Sequence, residues 1–501
     1  MLTPAPDLGR LHPGLVIPSG WRQANAVENA TAPELPDWAH WWLQLNDAHL
    51  TALIEQGLHN APDVRLARAR LRQARESRNL AEAGWWPTLD ASVSASRSPG
   101  DANNSRTSYR AGFDASWEPD LFGGVRQGVA AAEADLAAQG ARLEQTQVSL
   151  VAEIALNYVD YRLGQERLRI ACSNALSQAE TFDITRWRLQ AGLGTELDVE
   201  QARAALAQTR ATIPGLKNTR TASLNRLDVL LGQAPGTLAG NDWEPRGADA
   251  ESLCNPDDLS SPPNAPDETR PVSITIPQPL PNVPSTIAVG IPAEALYRRP
   301  DVRAAEATLT AETARVRVAL AERFPNLRLS GSFGWQDSRF SALGGPETIV
   351  RSLAASLAAS LFDGGRTKAR IGQQDATAEQ ALIVYEQTLL TALEDVENAL
   401  SSYATGRQRE KERMVAAEAA RNAERLASQM YQSGLADFQK VLDAERTLFS
   451  AEDALASTRG DILMAVIQLY KALGGGWTPV DVEKDAPTAS TNTPLSESSL
   501  P

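Results

Sequence analysis

Two cysteines, Cys172 and Cys254, are all that 501 residues contain, and they lie far apart. Usage this sparse fits free thiols or one incidental disulfide and supplies no metal-spaced pair and no redox motif. The four histidines, His12, His40, His49 and His59, all fall near the start. His49 and His59 are ten positions apart, not the i, i+4 of a helical metal pair, so no metal site is expected. Only four methionines occur, which argues against a thioether-lined path for soft ions such as copper or silver. Positive charge is in deficit: 48 Lys and Arg stand against 62 Asp and Glu, a net charge of −14. That balance argues against a nucleic-acid partner, which needs a basic face. No run of about 20 apolar residues occurs, so there is no transmembrane helix. Phosphate-binding loops, His-Glu-x-x-His and Gly-x-Ser-x-Gly are all missing, so neither an enzyme nor a cofactor is expected. The start, Met1-Leu2-Thr3-Pro4, lacks the basic and apolar regions of a signal peptide. That leaves a cytoplasmic chain or an export signal that this sequence does not contain.

What the chain does have, it has twice. Pro62-Asp63-Val64-Arg65 returns as Pro300-Asp301-Val302-Arg303, 238 positions on. Trp86-Pro87-Thr88-Leu89 matches Phe324-Pro325-Asn326-Leu327 at the same offset. Leu121-Phe122-Gly123-Gly124-Val125-Arg126 matches Leu361-Phe362-Asp363-Gly364-Gly365-Arg366 at 240, and Leu189-Gln190-Ala191-Gly192-Leu193 matches Tyr431-Gln432-Ser433-Gly434-Leu435 at 242. The near-constant offset reads as a tandem duplication of a unit too long for a common solenoid repeat. Five segments follow: an irregular, Pro-rich 1–46, a first repeat at 47–233, a Pro-rich linker at 234–292, a second repeat at 293–477, and a tail at 478–501. Val272 to Ile276 and Thr286 to Val289 read as short strands in the linker. The Ser, Thr and Pro content of the tail reads as disorder.

Each repeat mixes long helices with one hairpin. Leu50, Leu53, Ile54 and Leu58 share one helical face, predicting a helix from about Asp47 to Ala83 that Pro87 ends. Arg126 to about Gln190 is helical without proline, roughly 100 Å at about 1.5 Å per residue. Gly192 suits a C-cap, and Thr195 with Asp198 reads as a capping box opening a helix from Glu196 to about Leu231 that bends near Pro214. The second repeat copies this from Arg366 to about Tyr431, breaks at Gly434, and resumes to Leu473.

Between the helices, hydrophobicity alternates with period two. Leu89, Ala91, Val93 and Ala95 alternate with Asp90, Ser92, Ser94 and Ser96. Past a polar turn at Asp101 to Arg106, Tyr109, Ala111, Phe113, Ala115 and Trp117 alternate with Arg110, Gly112, Asp114, Ser116 and Glu118. In the second repeat, Leu327, Leu329, Phe333 and Trp335 form one such run, and Leu353, Ala355, Leu357, Ala359 and Leu361 the next. One face of each strand therefore meets apolar material and the other meets water. Each run has about the 9–11 residues that a tilted strand needs to cross a bilayer. Trp85, Trp86, Trp117, Phe122, Trp335 and Phe362 lie where an interfacial aromatic girdle would. A soluble antiparallel hairpin on a core is the alternative for one hairpin alone. Two hairpins among very long helices have no core to cover. Four strands per chain cannot close a barrel, and lipid tolerates no open sheet edge. Two chains would supply eight strands, which side chains fill, and three would supply twelve with an open lumen. The small inward residues Ser92, Ser94, Ser352 and Ser356 favour three.

These residues, with Trp41-Trp42, Arg298 to Arg303 and Tyr470-Lys471-Ala472-Leu473-Gly474-Gly475-Gly476-Trp477, resemble the outer-membrane efflux factors of the TolC type, in the OprM-like, NodT-type branch. The resemblance covers roughly residues 38 to 478. It implies a membrane α+β fold: a homotrimer sharing one 12-stranded antiparallel β-barrel, four strands per chain, on a long periplasmic α-helical coiled-coil barrel. It implies a Gram-negative outer-membrane location, and partners in a periplasmic adaptor protein and an inner-membrane RND transporter. The passage would let drugs or other small toxic compounds leave the cell. The family's Asp-Val-x-x-Ala and Leu-Asp-Ala motifs match Asp198-Val199-Glu200-Gln201-Ala202 and Leu442-Asp443-Ala444. They make Asp198 and Asp443, with Tyr431, candidates for a periplasmic gate. Three copies of a carboxylate around a narrow bore attract cations and repel one another. Asp198 also reads as a helix cap, and Asp443 as a solvated residue paired with Lys440 or Arg446. Where TolC carries an Arg two residues after the second Gly, this chain has Ala436, and Lys440 replaces an acidic residue. A constriction from Leu435, Phe438 and Gln439 is therefore expected in place of an Arg–Asp latch. Leu189, Gly192, Leu193, Gly434 and Leu435 match the tips that meet the adaptor, and equally read as residues that stabilise the turns. Many relatives in this branch begin with a lipidated Cys, and none lies near Met1. The alternatives are a channel for protein secretion or metal-ion efflux, and a soluble periplasmic coiled-coil scaffold.

Overall fold

The computed structural model of the chain describes residues 18, 20–22, 38–99, 105–240, 280, 281, 283 and 292–477. The strands expected at Val272 to Ile276 and Thr286 to Val289, and the tail, lie outside these residues, as does Cys254. Cys172 is disulfide-bonded and buried.

The sequence expectation of one helix from Asp47 to Ala83 is corrected by a break. Helix α1 spans Ala48–Asn60 and α2 spans Pro62–Ala83. Ala61 between them is extended, with φ −53° and ψ 132°. A proline disfavours helical backbone in the residue before it, while its fixed φ suits the first position of a new helix. The segment before α1 is also not wholly irregular: Trp38–Leu45 forms 3₁₀ turns that bury Trp41 and Trp42.

Beyond α2 come strands β1 (Thr88–Pro99) and β2 (Ser105–Trp117), then helices α3 (Gly124–Gln190) and α4 (Glu196–Leu230). Helix α4 runs through Pro214 without interruption. After the short α5 (Pro292–Arg298), α6 (Pro300–Ala321) leads to β3 (Asn326–Asp337) and β4 (Ile349–Ala358), then α7 (Arg366–Gln432) and α8 (Phe438–Ala472). The halves match in length: α2 and α6 have 22 residues each, α3 and α7 have 67, α4 and α8 have 35. In each half both shorter helices pack against the long one.

The strands form one antiparallel sheet in the order β1-β2-β3-β4. Register keeps odd positions on one face: Ala91 pairs with Phe113, Phe113 with Phe333, and Leu329 with Ala355. On that face Leu89, Val93, Leu353 and Leu357 stand two-thirds exposed or more. Every residue of β4 is exposed. Ala359 and Leu361, expected in the last strand, fall beyond it. The other face is polar: Ser92 Oγ donates to Asp114 Oδ2 at 2.8 Å, Arg110 pairs with Asp114 at 3.1 Å, and the Ser332 and Ser352 hydroxyls are 2.8 Å apart. Phe122 stacks on Phe324 and Trp117 Nε1 donates to the Trp85 carbonyl at the helix end of the sheet. Trp335 lies toward the far end, where Tyr109 meets Phe340 edge-on.

The main core sits at mid-height of α3. Trp41, Leu50 and Ile54 pack there with Ile154, Tyr158, Leu227, Leu231, Val466 and Tyr470. Trp41 stacks on Tyr470 with centroids 5.0 Å apart. Gly475 makes this possible, because a Cβ there would meet the Trp38 carbonyl oxygen at 2.9 Å. Tyr158 donates its hydroxyl to Asp47 Oδ2 at 2.7 Å, while Asp47 Oδ1 accepts from the amides of His49 and Leu50 and caps α1. Smaller buried clusters lie along the helices beyond this node.

Candidate functional site

The end of the helical body farthest from the sheet is built from two hairpins of the same design. At the end of α3, Gly192 adopts φ 70°, and the Leu193 amide donates to the Arg188 carbonyl at 2.8 Å. At the end of α7, Gly434 adopts φ 74°, and the Leu435 amide donates to the Met430 carbonyl at 2.8 Å. A left-handed glycine closes the last turn this way because a side chain there is strained. The leucines that follow have no cover: Leu193 is 70% and Leu435 73% exposed. Their side chains lie outside the buried tip core. Leu189 lies at the base of the same tip and is also exposed, at 36%.

Helix α4 opens on a complete capping box. Asp198 N donates to Thr195 Oγ1 at 3.2 Å, and the Asp198 carboxylate accepts from Thr195 N at 3.0 Å and from its hydroxyl at 2.7 Å. The Asp198 charge is therefore fixed at the tip. Asp437, at the N-cap of α8, makes no such side-chain cap. Asp443 is exposed and accepts from Gln439 Nε2, one turn earlier, at 3.1 Å. Its partner is thus neither Lys440 nor Arg446.

Tyr431 and Phe438 lie inside the tip. Both are buried, their rings 5.8 Å apart, in a small core with Ala202, Ala205, Val441 and Leu442. Arg188, which the sequence reading passed over, holds this core to the other hairpin. Its guanidinium covers the Tyr431 ring at 4.6 Å, and Nη1 donates to the Tyr431 carbonyl at 2.9 Å. Burial raises the Tyr431 phenol above its usual range, partly offset by the Arg188 charge. The sole signal in the sequence was a basic residue in the last turn of a helix, where it meets the negative end of the dipole.

Above the tip the buried seam turns polar. Asn174, Gln178 and Thr185 of α3 are buried, as is Glu445 of α8 at 3% exposed. Thr181 donates to Glu445 Oε1 at 2.7 Å. Burial raises the Glu445 carboxyl, and the nearby Glu424 raises it further. Glu424 is itself raised by burial. Among the described residues no cluster of His, Cys, Asp and Glu has the makings of a metal site.

A family model described as outer membrane efflux protein matches residues 53–233 and 291–475. The pyoverdine export outer membrane protein OpmQ of Pseudomonas putida is 31% identical over 488 residues, covering 95% of this chain and 94% of that protein. Outer membrane protein OprJ of Pseudomonas aeruginosa is 28% identical over 473 residues, covering 93% and 91%. The solved structure of the outer-membrane channel OprN superposes with a TM-score of 0.80 at 35% identity, covering 93% of this chain and 99% of that one. The family match spans both halves, hairpins and helices alike, and with it this chain belongs to the outer membrane efflux proteins.

Proposed function

We propose that three copies of this chain close their four-stranded sheets into one 12-stranded barrel and their helices into a hollow periplasmic tube. The observation that carries this reading is the sheet itself. Its odd face is largely apolar and bare, its even face is largely polar, and among the described residues β1 and β4 have no partner on their outer edges. Unpaired strand edges are not tolerated in lipid, so the sheet must be completed by copies of itself. The two halves are read as a duplication, and the chain as a passive duct. With no nucleotide site in the sequence, the driving energy comes from an inner-membrane RND transporter through a periplasmic adaptor.

The tips form the periplasmic gate and the docking end. Asp198 and Asp443 place charge at the mouth, and the Arg188–Tyr431 contact clasps one hairpin to the other. Gln439 orients Asp443, and Phe438 backs Tyr431 from inside. Leu189, Leu193 and Leu435 offer the adaptor an apolar surface, positioned by Gly192 and Gly434. Relatives are named for pyoverdine export and for toluene efflux, at 31% and 29% identity along nearly the whole chain. Cargo is therefore chosen by the transporter that feeds the duct, and drugs or small toxic compounds are the class assigned here.

The test is single-channel recording of detergent-purified protein in a planar bilayer, wild type against Asp198→Ala, Asp443→Ala. A small cation-selective conductance that grows in the double variant supports a carboxylate-ringed mouth. Discrete conductance that the changes leave untouched removes these two residues from the gate. Protein that stays in solution without detergent and never conducts overturns the channel.

A further inference from the structure

Helix α6 of the second half does not pack on its own long helix alone; it also lies against α3 of the first half. An ion pair keys that second contact. Arg303 Nη1 meets Glu144 Oε2 at 2.6 Å, and the Glu144 side chain is only 6% exposed. Around it Ala304, Ala141 and Val148 are buried.

Each of these residues has a counterpart at the corresponding offset in the other half. Arg65 ends the Pro-Asp-Val-Arg run that opens α2, as Arg303 ends the one that opens α6. Glu144 begins Glu144-Gln145-Thr146 in α3, and Glu386 begins Glu386-Gln387-Thr388 at the same position of the equally long α7. At the same offsets, Ala304, Ala141 and Val148 become Leu66, Ile383 and Leu390. Yet these three stand half exposed, at 50%, 54% and 52%. Among the described residues, neither Arg65 nor Glu386 makes an ion pair within the chain.

We infer that α2 of one subunit seats on α7 of the next as α6 seats on α3 within the chain, with Arg65 paired to the partner subunit's Glu386. The inference rests on the trimer proposed above and supplies its helical contact. A ring in which first and second halves alternate must repeat its internal junction at each subunit boundary. The opposite charges of Arg65 and Glu386 are retained, and the exposed Leu66, Ile383 and Leu390 gain the cover that their counterparts have. The bulkier side chains make the seam between subunits more apolar than the seam within one.

The experiment uses the full chain in detergent. Arg65→Cys and Glu386→Cys are introduced together and treated with a short bis-maleimide, and native mass is measured in parallel. The expected result is a denaturing-gel ladder up to three chains from the pair and single chains from either variant alone. Arg65→Glu is expected to lower the dissociation temperature of the trimer, and Glu386→Arg added to it to restore most of the loss. A native trimer that gives no ladder and shows no rescue overturns this contact and leaves the trimer standing. A native mass other than three chains overturns both.

Discussion

The Arg188 guanidinium lies 4.6 Å over the ring of Tyr431 and donates a hydrogen bond to the same residue's carbonyl oxygen. One side chain thus ties the end of α3 to the end of α7 by two interactions at once. A cation over an aromatic face contributes about 0.5–2 kcal/mol, and a charged donor to a carbonyl about 1.5–3 kcal/mol. Arg188→Ala removes both and leaves the helix cap, which is backbone, in place. If this contact holds the mouth shut, open probability in planar bilayers rises by about tenfold or more. Arg188→Lys, which keeps charge but not the planar fork, falls between the two. An unchanged open probability in both variants would remove the clasp from the gate.

Asp198 has two jobs that separate substitutions distinguish. Its carboxylate accepts from the Thr195 amide and hydroxyl and also places negative charge at the tip. Asp198→Asn keeps an acceptor oxygen and removes the charge. Asp198→Ala removes both, and loss of such a cap costs about 1 kcal/mol. Both variants are expected to lose the same share of cation selectivity, read as a shift in reversal potential. Only the alanine variant is expected to make the start of α4 more open to limited proteolysis. If asparagine leaves selectivity intact, Asp198 is a cap and nothing more.

How much of this was legible beforehand depended on the range of each interaction. Period-two alternation from Leu89 to Ser96 and the run of helix formers after Arg126 are local signals, and β1 and α3 stand where those signals lie. The capping box at Thr195 and Asp198 spans three residues and was readable for the same reason. The break at Ala61 is masked in the sequence because Leu50, Leu53, Ile54 and Leu58 share one helical face that runs up to Pro62 without a change of pattern. Arg188 was invisible for a different reason: its partner is 243 positions away, and the two meet only because α3 and α7 both pack against α8. Phe438 read as a constriction residue from its place near Gly434, whereas the fold turns it into the tip core.

Arg299 is the residue whose loss is expected to damage folding most. It is 8% exposed and donates from Nε and Nη2 to both oxygens of Asp301, from Nη2 to Asp395 at 3.0 Å, and from Nη1 to the Ala472 carbonyl at 2.9 Å. It joins α6, α7 and the end of α8 in one network. Removing one partner of a buried ion pair costs about 3–5 kcal/mol. The exposure of Asp395 places Arg299→Ala near the low end of that range. Lysine cannot reproduce the bidentate fork, so Arg299→Lys is expected to recover less than half of the loss. Thermal unfolding followed by circular dichroism reads both, and near-wild-type stability of the lysine variant would show that charge alone suffices.

Glu445 sets a pH dependence whose sign follows from its burial. Its carboxyl is raised above the ordinary value of 4.5, first by desolvation and then by Glu424 across from it on α7, with the Thr181 hydrogen bond acting the other way. A raised value means that the folded protein binds this proton more tightly than the unfolded chain does. The resulting contribution to stability is fully present below the unfolded value and is lost as pH rises through the folded one. Above that folded value the protein therefore holds a buried carboxylate at a cost. Glu445→Gln keeps an oxygen for the Thr181 hydroxyl and has no charge to bury. It is expected to melt at a higher temperature than wild type at about pH 8 and to lose most of that advantage at about pH 4. Glu424→Gln removes the second contribution and is expected to shift wild-type behaviour part of the way in the same direction. Hydrogen exchange at the amides of α8 near Glu445 localises the effect to the seam, because the sheet and the mid-height core contain neither carboxylate. Equal melting of Glu445→Gln and wild type at both pH values would mean that water reaches this carboxylate and that the seam above the tip is hydrated.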